Sequence, residues 1–333
     1  MWTGVVSYSM VQPAFADALG VQHLAATLEI GDPSRAVRAL GYEATSEASV
    51  GGAFFRGRAR KILDVVDGVA SRTGSVYDRA WARMARGTTA WFESRWRSAH
   101  DECVAAADLW RSACRGVAWE VATSEIYALS SLALMGRLTE LSSRLTRALR
   151  EAEDREDLFA AGGYVLGEQA LRWLALDRAD EWRALAERVK ATWPPGAWNL
   201  QRYQHLVAAT QAELYDGEGA RALRAVDAEW EGLGSAQLLR LECARVELHQ
   251  LRGRAALAAV ASRASGLDAP SLHARALDDA KVIDESTLAW AAPLAELLRA
   301  GVALQQGRSE AGLASLRRAT AASTRPRWPS SRR

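Results

Sequence analysis

Along this chain apolar positions recur at three- and four-residue spacings, and strand-like alternation is absent. From Ser75 to Phe92, the apolar or small residues Tyr77, Ala80, Trp81, Met84, Ala85, Thr88, Trp91 and Phe92 follow one another at offsets 3, 4, 7, 8, 11, 14 and 15 from the first. That is one face of an α-helix, and Arg79, Arg83 and Arg86 occupy a separate stripe. The spacing returns from Trp96 to Trp110 in Trp96, Ala99, Cys103, Ala106, Ala107 and Trp110. Only Glu93-Ser94-Arg95 intervenes, so the two segments are predicted to form a helical hairpin.

The hairpin pattern repeats. Turn anchors are Gly31-Asp32-Pro33, Glu93-Ser94-Arg95, Gly136-Arg137, Asp177-Arg178, Asp216-Gly217, Arg252-Gly253 and Gln306-Gly307. Steps from Ser94 to Gly136, Asp177, Gly217 and Gly253 are 42, 41, 40 and 36 residues. Such a period is that of a helical solenoid, in which stacking covers faces that one hairpin leaves open. The fold class expected is therefore all-α, a right-handed α-solenoid of about seven or eight stacked antiparallel hairpins. It forms a single array over 1–322, with two sub-arrays hinged at 193–196, where Trp193-Pro194-Pro195-Gly196 cannot continue a helix. Residues 323–333 lack apolar periodicity and are expected to be a disordered basic tail. Asp32 and Pro33 read as the cap and first position of a helix, and Pro270 and Pro293 as further helix starts or breaks. From Val117 to Met135 apolar residues surround the whole helix, which places it between others, with Leu129 in its core.

Composition sharpens this picture. The chain has 333 residues and a formal charge of +2, and Arg325, Arg327, Arg332 and Arg333 near its end supply +4, leaving −2 elsewhere. A nucleic-acid footprint needs a concentrated positive excess, so no nucleic acid is expected as partner. The three cysteines (Cys103, Cys114, Cys243) have no regular spacing, and neither a signal peptide nor a membrane span is read. A cytoplasmic setting without membrane contact follows as the expectation.

Catalytic constellations are not found. No glycine precedes Lys61, Lys190 or Lys281, so there is no P-loop, and His-Arg-Asp, Asp-Phe-Gly, His-Glu-x-x-His and Cys-x-x-Cys do not occur. Gly217 to Ala222 fits a dinucleotide fingerprint, but helical periodicity precedes it where a strand is required. His23 and His249 sit among apolar neighbours and read as packed residues. Glu120 and Glu125 read as helix-end charges or a buried bond to arginine, and Cys114 as an apolar filler. No catalytic residue, cofactor or metal is assigned.

The 13 tryptophans are the more informative set, and Trp81, Trp91, Trp96, Trp110 and Trp119 fall within two hairpins. Most fill space between helices, yet Trp and Arg dominate binding energy on exposed inner faces. Trp91 and Trp119, with Arg79, Arg83 and Arg86, are the candidate partner-binding residues, suited to an acidic or phosphorylated peptide.

Gly87 to Phe92, Arg95 to Ala99 and Cys114-Arg115-Gly116-Val117-Ala118-Trp119-Glu120 resemble the carboxy-terminal helical-repeat region of large bacterial serine/threonine protein kinases. Ala36 to Leu40, Glu156 to Leu158, Trp193 to Gln204 and Leu251 to Leu257 extend the resemblance over roughly Ala14 to Val260. In that family a kinase domain and an ATPase module precede a tetratricopeptide-like array. The resemblance implies a non-catalytic interaction or regulatory scaffold in kinase signalling. Its implied partner is a protein or peptide, such as a kinase or ATPase module. The kinase and ATPase parts are not in this chain, so their activity transfers to none of its residues. The alternatives are the sensor arm of an ATP-dependent transcription regulator and a fragment of a serine/threonine kinase. The first needs a DNA-reading helix-turn-helix, for which the eleven residues after Ala322 are too short.

Overall fold

In a computed structural model, which describes residues 1–193, 199–263 and 266–324, the chain is all-helical, and the described residues contain no strand. The first helices are α1 (Trp2–Val11), α2 (Pro13–Ile30), α3 (Pro33–Val50) and α4 (Gly52–Thr73). Next come α5 (Val76–Phe92), α6 (Trp96–Ala113), α7 (Ala118–Leu134) and α8 (Leu138–Asp154). A shorter, interrupted stretch follows: α9 (Leu158–Val165), a 3₁₀ turn over Gly167–Ala170, α10 (Leu171–Ala175) and α11 (Ala179–Lys190). The rest comprises α12 (Leu200–Tyr215), α13 (Gly219–Ser235), α14 (Glu242–Ala261), α15 (Ala269–Asp284), α16 (Ala291–Gln305) and α17 (Ser309–Thr324).

These helices form two compact units, Met1–Ala209 with Gly232–Leu238, and Thr210–Glu231 with Leu239 onward. Residues 194–196 of the expected hinge lie outside the described residues, as do 325–333 of the expected tail. Ser323 and Thr324 close α17, because the alanine-rich run before them carries helix propensity to its end.

Neighbouring helices pack in pairs. In the first unit α3 pairs with α4, α5 with α6 and α7 with α8, while α3, α5, α7 and α9 also touch in succession. One turn design recurs. Ser94, Gly136, Asp177, Gly217 and Gly307 all take positive φ. In each case the next amide reaches back five residues: Arg95 to the Ala90 carbonyl (2.8 Å), Arg137 to Leu132 (2.9 Å), Arg178 to Trp173 (2.8 Å), Glu218 to Glu213 (2.9 Å) and Arg308 to Ala303 (2.8 Å). This left-handed closure satisfies carbonyls that a helix end would leave bare. At the other end of a helix, Asp32 accepts the Arg35 amide at 3.0 Å, with Pro33 at the first position of α3. Pro270 and Pro293 lie in the first turns of α15 and α16.

Gly253 is a correction. It lies inside α14, not in a turn, and a Cβ there would stand 2.7 Å from a Leu298 methyl of α16. Its glycine is required by close packing between helices, a role that an Arg-Gly pair read along the chain does not distinguish from a turn.

Packing of α5 on α6 follows the same logic. A Cβ at Gly87 would meet Cys103 Sγ at 2.4 Å, the Cys103 amide at 3.1 Å and the Ala99 carbonyl at 3.3 Å. The bulk displaced from this crossing collects elsewhere in the unit, where Trp81, Trp110, Met84, Val37 and Val66 form one buried cluster. Helix α7 is buried over most of its circumference, and Leu129 is fully enclosed. Among the described residues no helix is long and apolar enough to cross a membrane.

Two stability outcomes follow. Gly87→Ala, which would stabilise an open helix by about 1 kcal/mol, is expected here to lower stability by about 2 kcal/mol, read as a fall in the urea midpoint. Leu129→Asp places an unpaired charge among apolar neighbours and is expected to abolish the cooperative thermal transition; a melt like the parent's would refute the burial of α7.

Candidate functional site

The residues expected to bind a partner separate into three places. Arg83 Nη1 donates to Glu102 Oε2 on α6 at 3.0 Å. Arg86 bonds Glu102 (3.3 Å) and also pairs with Asp67 on α4. Arg79 is exposed and donates to the Gly74 carbonyl at 3.0 Å. This stripe thus faces the even-numbered helices, where carboxylates already occupy two of its three arginines. Trp119 stacks on Trp81 at 6.1 Å and 24°, within the aromatic core, and Trp81 meets Trp110 edge-on at 5.9 Å. Only Trp91 looks along the row of odd-numbered helices, where its Nε1 donates to Ser130 Oγ of α7 at 2.9 Å. It shares that surface with Phe92 and Tyr127, both half-buried.

Glu120 and Glu125 do not meet as a carboxylate pair. Glu120 accepts the Tyr77 hydroxyl at 2.8 Å. Glu125, 3% exposed, is clamped by Arg144 Nε and Nη2, each at 2.8 Å, and by Arg111 at 2.8 Å. Burial acts to raise the Glu125 pKa, but the bonds and charge of Arg144, then of Arg111, outweigh it and hold the carboxyl below its ordinary value. A cavity of about 240 Å³ beside it is lined by Asp108, Arg147 and Glu151 as well.

The second unit holds a buried polar cluster that the sequence did not reveal. Asp279, fully buried on α15, accepts His249 Nδ1 at 2.6 Å and Arg252 Nε at 3.1 Å on each oxygen. The Arg252 guanidinium lies 3.6 Å from the Trp230 ring centroid, a cation–π contact. Asp279 and His249 stand 30 residues apart in the chain, so no short motif could signal them. The α15 pattern gives one hint, an acidic residue on its apolar face. Because Arg252 engages both Asp279 oxygens, the arrangement is built to hold α14 to α15.

Chemistry of the nucleophilic kind is disfavoured at Cys103 and Cys114. Burial pushes the Cys103 and Cys114 thiols up, with Glu120 adding to the effect at Cys114, and a protonated thiol is a poor nucleophile. Among the described residues, no group of three or more His, Cys, Asp and Glu side chains is placed to hold a metal ion. Before the Gly217 turn stands α12, so no strand leads into that glycine-rich sequence. What the first unit offers is a half-buried aromatic surface on the face of α5 and α7, suited to contact with another polypeptide.

No protein-family model matches the chain, and neither a curated protein nor a solved structure is found to be similar to it.

The Glu125 clamp makes stability depend on acid. A carboxyl held low in the folded state stabilises it fully above the unfolded value of about 4.3, and that contribution is lost as pH falls through the lower native value. Glu125→Gln is therefore expected to cost about 3 kcal/mol at neutral pH, and the gap from the parent in urea melts should narrow in acid. An unchanging gap across that range would contradict the assigned charge state.

Proposed function

We propose that the chain is a non-catalytic protein-interaction or regulatory module, a tetratricopeptide-like α-solenoid serving a bacterial serine/threonine kinase signalling system in the cytoplasm. The observation that carries the repeat reading is a set of side-chain hydrogen bonds whose lag lies near the period of the turns, beside shorter lags of 19 to 30 residues between helices next to one another in the chain. In the first unit Ser34 bonds Asp78 across 44 residues, Thr45 meets Thr88 across 43, Tyr77 reaches Glu120 across 43 and Trp91 reaches Ser130 across 39. In the second, Arg254 bonds Gln211 across 43 residues and the Thr287 hydroxyl bonds Glu242 across 45. Bonds between helices about one period apart, together with a recurring turn design, support the stacked-repeat reading.

Repeat arrays expose long inner faces that bind extended or helical segments, and half-buried Trp and Tyr are favoured anchors there. Trp91 and Tyr127 supply such anchors on α5 and α7. The kinase connection rests on the similarity carried by Cys114 to Glu120 and its companion segments, which points to a kinase or ATPase polypeptide as the partner.

Crosslinking mass spectrometry in the source cell should join α5 and α7 to a serine/threonine kinase or ATPase polypeptide. Calorimetry of the purified chain with ATP should show no saturable heat. Crosslinks confined to other surfaces, or stoichiometric ATP binding, would overturn the reading.

A further inference from the structure

A surface helix ordinarily turns a charged face to solvent, and α2 does not. Of its 18 residues only Asp17 and Glu29 carry charge. One face, Ala16, Gly20, His23 and Thr27, is buried. A Cβ on Gly20 would stand 2.9 Å from the Tyr42 ring of α3, and the His23 ring lies 5.7 Å from that of Trp2 on α1. Half a turn round the helix, Ala14, Ala18, Val21, Ala25 and Leu28 are all exposed, Val21 and Leu28 each at 58%. With Phe15 and Ile30 also exposed, α2 bares more large apolar side chains than any other helix of the described residues.

The exposed stripe is spaced to receive another helix. Its steps of 4, 3, 4 and 3 residues are those of a coiled-coil seam. Its order of sizes matches a reversed copy of itself. Turned about Val21, Ala14 meets the partner's Leu28, Ala18 meets Ala25, and Val21 meets Val21, so small opposes large and the gap stays even. Two copies running the same way would set alanine on alanine at one end and leucine on leucine at the other, and would splay.

Charge agrees with the reversed direction. Glu29 is exposed in the last turn of α2, the negative end of the helix dipole, and that turn has no basic residue. The first turn has no acid, and no side chain caps it. An antiparallel second copy sets Glu29 beside the partner's positive first turn, twice over by symmetry. Asp17 is drawn toward α3 by the hydroxyls of Ser46 at 2.9 Å and Tyr42 at 3.4 Å, so the stripe itself stays neutral.

We propose that α2 is a self-association surface, through which two copies of the chain pair antiparallel about a two-fold axis at Val21. Such a contact is isologous and closes at two copies. A helix of this length spans about 27 Å. With Tyr8 and Phe15 at its margin, their rings edge-on at 4.7 Å, the pair buries an area near the lower limit of about 1,000 Å² for a specific interface. A reversible dimer of micromolar strength is the expectation. The surface is separate from that of α5 and α7, so neither reading depends on the other.

Sedimentation equilibrium of the full chain, from about 0.1 to about 100 μM, tests this and should show monomer passing to dimer. Val21→Glu sets like charges across the axis and should leave monomer alone. Glu29→Lys should weaken the dimer about tenfold at low salt, yet should not lower the melting temperature of the dilute monomer, because lysine suits its own helix end. Cysteines locate the axis. Val21→Cys should crosslink to its counterpart under mild oxidation, whereas Ala14→Cys lies about 21 Å from its own and should not. The parent controls for Cys114 and Cys243. Thermal melts report folding, and the conservative Val21→Cys decides the matter should Val21→Glu unfold. A chain monomeric throughout, a dimer indifferent to Val21→Glu or Glu29→Lys, assemblies growing past two copies, or equal crosslinking at Ala14 and Val21 would each overturn the proposal.

Discussion

Helices in this chain come together only as closely as their smallest residues permit. At the α5–α6 crossing Gly87 lies against Cys103 and Ala99 with no room for a methyl group. At the start of α13, a Cβ on Gly219 would stand 2.3 Å from the Ala258 backbone of α14. Crossings this tight explain why the buried residues are so often alanine. They also explain where the large side chains go. Excluded from the crossings, Trp2, Trp81, Trp110 and Trp119 gather as a cluster of edge-on and stacked rings, and Trp91 is left on the open side of α5. The aromatic surface is thus a consequence of backbone proximity elsewhere in the same helix.

Charge is distributed by a related economy. Arginine is abundant, yet several of its members serve as internal ties: Arg144 and Arg111 on Glu125, Arg252 on Asp279 and Trp230. Breaking such a pair leaves a buried charge uncompensated, so each tie holds two helices in register more firmly than its net energy suggests. The positive stripe of α5 is similarly engaged with Glu102 and Asp67.

Much of the architecture is legible along the chain. The helical spacing from Ser75 to Phe92 and from Trp96 to Trp110 corresponds to α5 and α6 within a few residues. Ser94, Gly136, Asp177, Gly217 and Gly307 are turns, because left-handed closure favours glycine and small polar residues that can be recognised locally. Gly253 was legible as a special position but not as a packing one, since only the approach of Leu298 distinguishes the two. The candidate site was legible in fewer parts. Trp91 reaches the open row, but Trp119 and the arginine stripe, which share its neighbourhood in the sequence, turn to other sides of their helices.

Helical class, the position of most turns and the enclosure of α7 are therefore properties of local order, since periodicity and turn chemistry act over a few residues. The partners of Glu125 and Asp279, and the face to which each aromatic ring turns, were decided by tertiary structure. Those contacts join residues from about twenty to over forty positions apart, and a separation of that size leaves no pattern in any window that helical periodicity spans.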